Sequence, residues 1–162
     1  QVEWFSIFRN QTATPLAMGE LFVNPQEWKP LITGHLIDFI RVHLSMIGGL
    51  TPARKLAALC ESFGVRTAWH GPNDITPLGV AAQLHLDLVS PNFGVQEFFG
   101  FSELEQEIFR GCPQVRDGYL YPNDKPGFGI EFDEELAKRY PCQYREHNWL
   151  RSRLPDGTAV RP

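Results

Sequence analysis

No apolar run in this chain approaches the ~20 residues that a membrane-spanning helix requires, so such a helix is excluded. Net charge is slight, −4 from 15 basic and 19 acidic residues, and the basic residues are dispersed. That excludes the clustered positive footprint of a nucleic-acid binder. Cysteine is scarce: Cys60, Cys112 and Cys142 form no CxxC pair and no metal-finger spacing. With an odd count and no signal-peptide pattern, reduced thiols in a cytoplasmic protein are the expectation. Sequence repeats are absent as well; what recurs is structure. At 162 residues and 43% hydrophobic content, the chain is about one ordinary globular domain long.

What is present is a rhythm. Residues 1–10 carry apolar side chains at 4, 5 and 8, as the end of a helix would, and Thr14-Pro15 breaks it. Strand-like runs are expected at 16–22, 37–46, 65–70 and 92–98. Helical segments are expected between them: Pro25 to Leu36, ended near Gly34; Ala53 to Phe63, with Thr51 as N-cap and Pro52 at the first helical position; and Thr76-Pro77 to about Val89. Ser102-Glu-Leu-Glu105 opens a further helix to Phe109. After Gly111 the rhythm breaks. Residues 112–130 are rich in Gly, Pro, Asn and Asp, with Tyr119–Tyr121 and Phe128–Ile130 as short extended pieces, which fits a hairpin or long excursion. Asp133 caps a short helix to Tyr140, ended by Pro141, and 151–162 is polar and turn-rich.

Strand–helix units at this pitch build a parallel sheet or a (β/α) barrel, whose strand C-termini share the face where chemistry is done. Functional side chains sit at those ends. Glu20 closes the first run, Arg41 and His43 lie in the second, His70 closes the third and Glu97 lies in the fourth, at intervals of 21, 29 and 27 residues. Four such units are half of an eight-stranded barrel, which needs about 250 residues when complete. Alone they leave two open edges. The other half is therefore expected from upstream sequence or from another polypeptide.

Each residue has an active and a bland reading. Glu20 offers oxygen to a hard cation such as Mg²⁺, or is a solvated loop glutamate. Arg41 and His43, two apart, share a face: Arg41 recognises a carboxylate or orients a partner, or forms a core ion pair, and His43 is a ligand contact or a satisfied core histidine. His70 is an acid–base candidate, with Asp74 four residues on to orient it or to meet a substrate hydroxyl; otherwise it is satisfied in a turn. Glu97 suits a polyol hydroxyl or a structural salt bridge. His35 and His85 fall in helical segments outside a barrel. His147 and Trp149, in the tail, carry no assigned role. If the polar strand ends are coincidental, Glu20, His70 and Glu97 must be scattered.

Several longer stretches carry a resemblance: Thr14-Pro-Leu-Ala-Met-Gly-Glu20, Ile40-Arg41-Val-His43 with Gly48-Gly49, Trp69-His70-Gly-Pro-Asn-Asp74 and Ser90-Pro-Asn-Phe-Gly-Val-Gln-Glu97. So do Asp117-Gly-Tyr-Leu-Tyr, Lys125-Pro-Gly-Phe-Gly-Ile-Glu-Phe and Pro155-Asp-Gly-Thr. In order, and over essentially the whole chain, they resemble the C-terminal part of the mannonate dehydratase subgroup of the enolase superfamily, proteins also labelled starvation-sensing.

The resemblance implies the C-terminal half of a (β/α)₇β TIM-like barrel, strands five to eight in residues 1–111. Residues 112–162 would be a C-terminal excursion returning to a capping domain. It also implies a lyase of carbohydrate metabolism: Mg²⁺-dependent dehydration of D-mannonate and/or D-gluconate to 2-keto-3-deoxy-D-gluconate through an enediolate. The superfamily's pairing of a lysine or histidine base with Mg²⁺ belongs to that implication and is not read from these residues. In that frame Glu20 is a metal ligand, His70 is catalytic, and Arg41, His43, His70, Asp74 and Glu97 contact the substrate. The remaining metal carboxylates and acid–base residues belong to the missing N-terminal half, so the chain alone is expected to be inactive. A sugar acid is the implied partner, a homo-oligomer is expected, and neither nucleic acid nor membrane is. The competing function is a catalytically inactive sugar-acid binding or regulatory protein on the same scaffold.

Overall fold

The computed structural model describes residues 2–144 and 152–159. It falls into two compact units, Gln1–Phe132 and Asp133–Pro162. In the first, α1 (Val2–Arg9) precedes three parallel βα steps: β1 (Ala17–Met18), α2 (Pro25–Thr33), β2 (Phe39–Ile40), α3 (Leu50–Ser62), β3 (Arg66–Thr67) and α4 (Pro77–Leu88). The sheet order is β1-β2-β3, with Met18 opposite Ile40 and Ile40 opposite Thr67. A parallel bridge from Thr67 to Phe93 adds the fourth run on the β3 side.

These strands are shorter than the sequence predicts. Regular pairing covers two residues in each, but the ladder continues through single bonds: the Arg41 amide donates to the Met18 carbonyl at 2.8 Å, and the His70 amide to the Val42 carbonyl at 2.9 Å. The functional side chains still lie just past the paired residues, on one end of the sheet.

The helices cover the sheet as the apolar pattern requires. Trp28, Leu31 and Ile32 of α2 and Ala53, Leu56, Ala57 and Cys60 of α3 pack on Ile40, Val42, Val65 and Trp69. Asn24 caps α2 in a capping box with Glu27, and Thr76 caps α4 with Pro77 following. Two expectations are corrected. Thr51 is not the cap of α3, because Leu50 and Thr51 are already helical and Gly49, at φ +92°, makes the entry without a side-chain bond. His35 is not helical: it follows Gly34, the C-cap of α2, at φ +51° in the turn toward β2. His85 does lie in α4.

Ser102 caps α5 (Glu103–Ile108) in a box with Glu105, as its spacing predicts. The Gly/Pro-rich stretch forms the expected hairpin, β5 (Gln114–Arg116) with β6 (Tyr119–Tyr121), turned at Asp117-Gly118, both at positive φ. Phe128–Ile130 is not the second extended piece. Instead β7 (Glu131–Phe132) pairs antiparallel with β4 (Phe109–Arg110), while the Asn123 amide holds the Gly111 and Gly129 carbonyls at 2.5 and 2.9 Å. In the second unit, Asp133 caps α6 (Glu134–Ala137), shorter than the sequence predicts, and Arg153 bridges Ala159. His147 and Trp149 lie outside the described residues.

Candidate functional site

Each strand end delivers its side chain to the same place. Gly19 makes the approach of Glu20 possible: at φ +132° it lies so close to β2 that a Cβ there would stand 2.8 Å from Val42 Cγ1. Arg41, one residue past β2, then takes a carboxylate on each side. Its Nη1 donates to Glu20 Oε2 at 2.6 Å, while Nε and Nη2 donate to Glu97 Oε2 and Oε1 at 3.1 and 2.9 Å, a bidentate fork. The Gly71 amide adds a bond to Glu97 Oε2 at 3.3 Å. His70 Nε2 stands 4.0 Å from Glu20 Oε1. The His43 ring meets the His70 ring edge-on, centroids 5.7 Å apart, and Ser45 Oγ lies 2.7 Å from His43 Nδ1. Glu20, Arg41, His43, His70 and Glu97 thus form one cluster, and the scattered arrangement is ruled out.

The electrostatics follow from that packing. Burial by itself would raise the Glu97 pKa, but the Arg41 fork and the Gly71 amide outweigh it and hold the carboxyl below its ordinary value. Burial would likewise lower the Arg41 pKa, and the Glu97 and Glu20 carboxylates instead raise it. His43 is pushed down, first by burial and then by His70, against an opposing pull from Asp74. Asp74 is exposed on the loop after His70. It does not orient the His70 ring through Nδ1, which is buried without a hydrogen-bond partner. Three of the five guanidinium N–H groups of Arg41 are used within the cluster, so the fork is not wholly free for an incoming carboxylate.

The sequence reading missed the residues behind the cluster. Gln83 is fully buried on α4 and donates to the His70 carbonyl at 2.8 Å. Gln96 donates to Gln83 Oε1 at 3.0 Å and to the Glu97 carbonyl at 2.7 Å. The available signal was a lone glutamine inside the otherwise apolar run Val80-Ala-Ala-Gln-Leu84. As for metal, Glu20 is a suitable oxygen donor, yet no group of three or more His, Cys, Asp and Glu that could hold an ion occurs among the described residues.

A parallel βα sheet with its charged cluster at the strand C-termini is the arrangement of (β/α) barrels in general, and the model of one such family, enolase C-terminal domain-like sequences, matches residues 1–136. The chain belongs to that family. A D-galactonate dehydratase family member of Enterocloster bolteae is 61% identical over all 162 residues, which span 40% of that relative. One from Salmonella enteritidis is 56% identical over 161 residues, 99% of this chain and 38% of the relative. Among solved structures, an enolase of Pantoea ananatis with bound D-gluconate and Mg superposes with a TM-score of 0.93 at 56% identity, over 100% of this chain and 39% of that one. A mandelate racemase/muconate lactonizing enzyme of Jannaschia matches with a TM-score of 0.78 at 25% identity, over 88% of this chain and 36% of that one. This enolase-family chain therefore corresponds to about 40% of the curated relatives it matches, the C-terminal part of a TIM-barrel-type α/β fold. Among the described residues, no helix is long and apolar enough to cross a membrane.

Proposed function

We propose that this chain supplies the C-terminal face of a sugar-acid dehydratase site: a lyase that removes water from D-mannonate and/or D-gluconate to give 2-keto-3-deoxy-D-gluconate. The supporting observation is the cluster itself, in which Arg41 joins Glu20 to Glu97 while His70 Nε2 stands 4.0 Å from Glu20. The D-gluconate and Mg of the Pantoea ananatis structure, at 56% identity, favour the same substrate class and cofactor. We place the chain within the mannonate dehydratase subgroup on its motifs alone.

Dehydration needs a proton taken from C2, a proton given to the departing C3 hydroxyl, and an acidic C2. His70 is the catalytic residue of this half, an imidazole that carries a proton at a ring nitrogen to or from the substrate. Arg41 contributes its two remaining N–H groups to a substrate oxygen and holds both carboxylates in register. Glu97, kept ionised by the fork, accepts a hydroxyl proton in a hydrogen bond, and His43 and Asp74 complete the polar wall. Mg²⁺, when bound, would neutralise the substrate carboxylate and so acidify C2. Glu20 suits it as one ligand, but the described residues do not by themselves form a Mg²⁺ site.

The rest of the site, including an N-terminal half of the barrel, a capping domain contacted by residues 112–162, homo-oligomer formation and a cytoplasmic setting, belongs to the same proposal. Fusing this chain behind the upstream part of the Enterocloster bolteae relative tests it. The fusion should form a 2-keto-3-deoxy acid from D-gluconate or D-mannonate only with Mg²⁺, and the chain alone should form none. A folded fusion that binds the acid with Mg²⁺ and never dehydrates it would instead establish the inactive binding protein. That second reading is favoured by the 2.6 Å pairing of Arg41 with Glu20, which already neutralises the one metal-binding carboxylate.

A further inference from the structure

The cluster is held from behind by a strut of two amide side chains. We infer that Gln83 and Gln96 are positioning residues that fix the spacing between the His70 and Glu97 strand ends, and that the activity proposed above, on which this inference rests, depends on that spacing.

Gln83 has no solvent exposure and sits on α4, the helix between the two strand ends. Its Nε2 donates to the main-chain carbonyl of His70, and its Oε1 accepts from Gln96, whose Nε2 also donates to the carbonyl of Glu97. The path therefore runs from the His70 backbone through two amides to the Glu97 backbone, with neither the His70 nor the Glu97 side chain in it. The same two segments are pressed together at Gly71. A Cβ there would collide with the Glu97 carbonyl oxygen, and the Gly71 amide bonds the Glu97 carboxylate.

This join is also where regular pairing ends. Beyond the Thr67–Phe93 bridge, the bond from the Thr67 amide to the Asn92 carbonyl and those from the Gly94 and Val95 amides to the Thr67 carbonyl, the last run makes no further main-chain bond with β3 among the described residues. The side-chain amides do there what a backbone ladder does elsewhere. A buried amide satisfied at both ends rigidifies its surroundings, and removing one end leaves the other unpaired at low dielectric. Gln83 can make both bonds at once because its amide presents a donor and an acceptor on one rigid plane. Neither methionine, apolar and of similar length, nor glutamate, lacking the donor, reproduces this.

The test uses Gln83→Met, Gln96→Met and the double variant, first in the chain itself by amide hydrogen exchange. In Gln83→Met, Gly71 should exchange about tenfold faster relative to Ala68, whose amide bonds Ile40 within the sheet. In the active fusion, each single variant should lower kcat about tenfold with KM within about threefold, because small displacements of reacting groups weaken turnover more than binding. The double variant should lose no more than the worse single one, since both cut one strut. Equal acceleration of Gly71 and Ala68, or kcat losses that multiply, would make the glutamines packing residues and overturn the inference. If the unaltered fusion has no activity, the dehydratase reading fails, and the exchange comparison alone decides the strut.

Discussion

Replacing Arg41 with methionine removes the guanidinium with its charge and donors and keeps an unbranched apolar stem. The fork to Glu97 comprises two charge-assisted bonds at 2.9 and 3.1 Å between side chains 27% and 29% exposed. Charge-assisted bonds of this kind contribute about 1.5–3 kcal/mol, and we take about 2 kcal/mol for the fork at neutral pH. The bond to Glu20, whose side chain is 51% exposed, is screened by water and adds about 0.5 kcal/mol. Arg41→Met should therefore lose about 2–3 kcal/mol at pH 7. The pH dependence carries the stronger test. Glu97 has its folded-state pKa depressed below the ordinary 4.5, so its contribution is present above that value and is lost as pH falls through the lower folded value. Urea unfolding from pH 7 to pH 3 should show the two proteins converging below about pH 4.5, because the native chain sheds a term that the variant never had. Parallel curves, with the same difference at pH 7 and pH 3, would refute the account.

Asp87 is buried on α4, and burial pushes its carboxyl up to about 7, against a lowering pull from the neighbouring Trp69 indole N–H. A raised acid stabilises the fold below its unfolded value of 3.8 and opposes it as pH rises through 7, so Asp87→Asn should be near neutral at pH 4 and stabilising by roughly 2–4 kcal/mol at pH 8 in urea unfolding. Gly71→Ala drives a methyl into the Glu97 carbonyl and should cost about 1–3 kcal/mol as overpacking, seen as a lower urea midpoint with unchanged slope. Cys60 is fully buried with its thiol pushed up to about 12, and Cys112 is buried too, so thiol reagent at pH 8 should label Cys142 in the native chain and the other two only on unfolding.

The parallel βα order, the helix caps at Thr76 and Ser102, and the hairpin after Gly111 were legible because each has a local cause. Proline follows Thr76 at the first helical turn, Glu105 answers Ser102, and the richness of residues 112–130 in Gly, Pro, Asn and Asp marks the turn, although the strand Gln114–Arg116 was not among the expected extended pieces. The site was legible for a different reason: charged residues ending apolar runs must meet wherever those runs align. What stayed hidden depends on tertiary distance. Nothing local says that Leu50 and Thr51 are already inside α3, or that β7 begins at Glu131 and not at Phe128, because β7 is fixed by pairing with β4, about 20 residues away. Gln83 went unnoticed, since its partner, the His70 carbonyl, has no sequence signature.

Charge decides how much of the proposed site this chain can supply. Arg41 contributes one positive charge, Glu20 and Glu97 contribute two negative ones, and exposed Asp74 adds another, so with His43 pushed toward its neutral form the polar wall is acidic. A sugar acid is an anion. An acidic wall repels it unless positive charge arrives first, and at the contact distances of such a site that repulsion is on the order of a kcal/mol or more even at surface dielectric. The same acidity that disfavours the bare substrate favours a divalent cation beside Glu20, and a cation held there would turn the wall from repelling a carboxylate to holding one. The hydroxyl contacts proposed at Glu97 and Asp74 would then gain from the charge that opposed binding before. The wall is thus complementary to a cation–acid pair and not to the acid alone, which is the electrostatic reason for assigning this chain one part of a metal-dependent site that needs ligands from outside it.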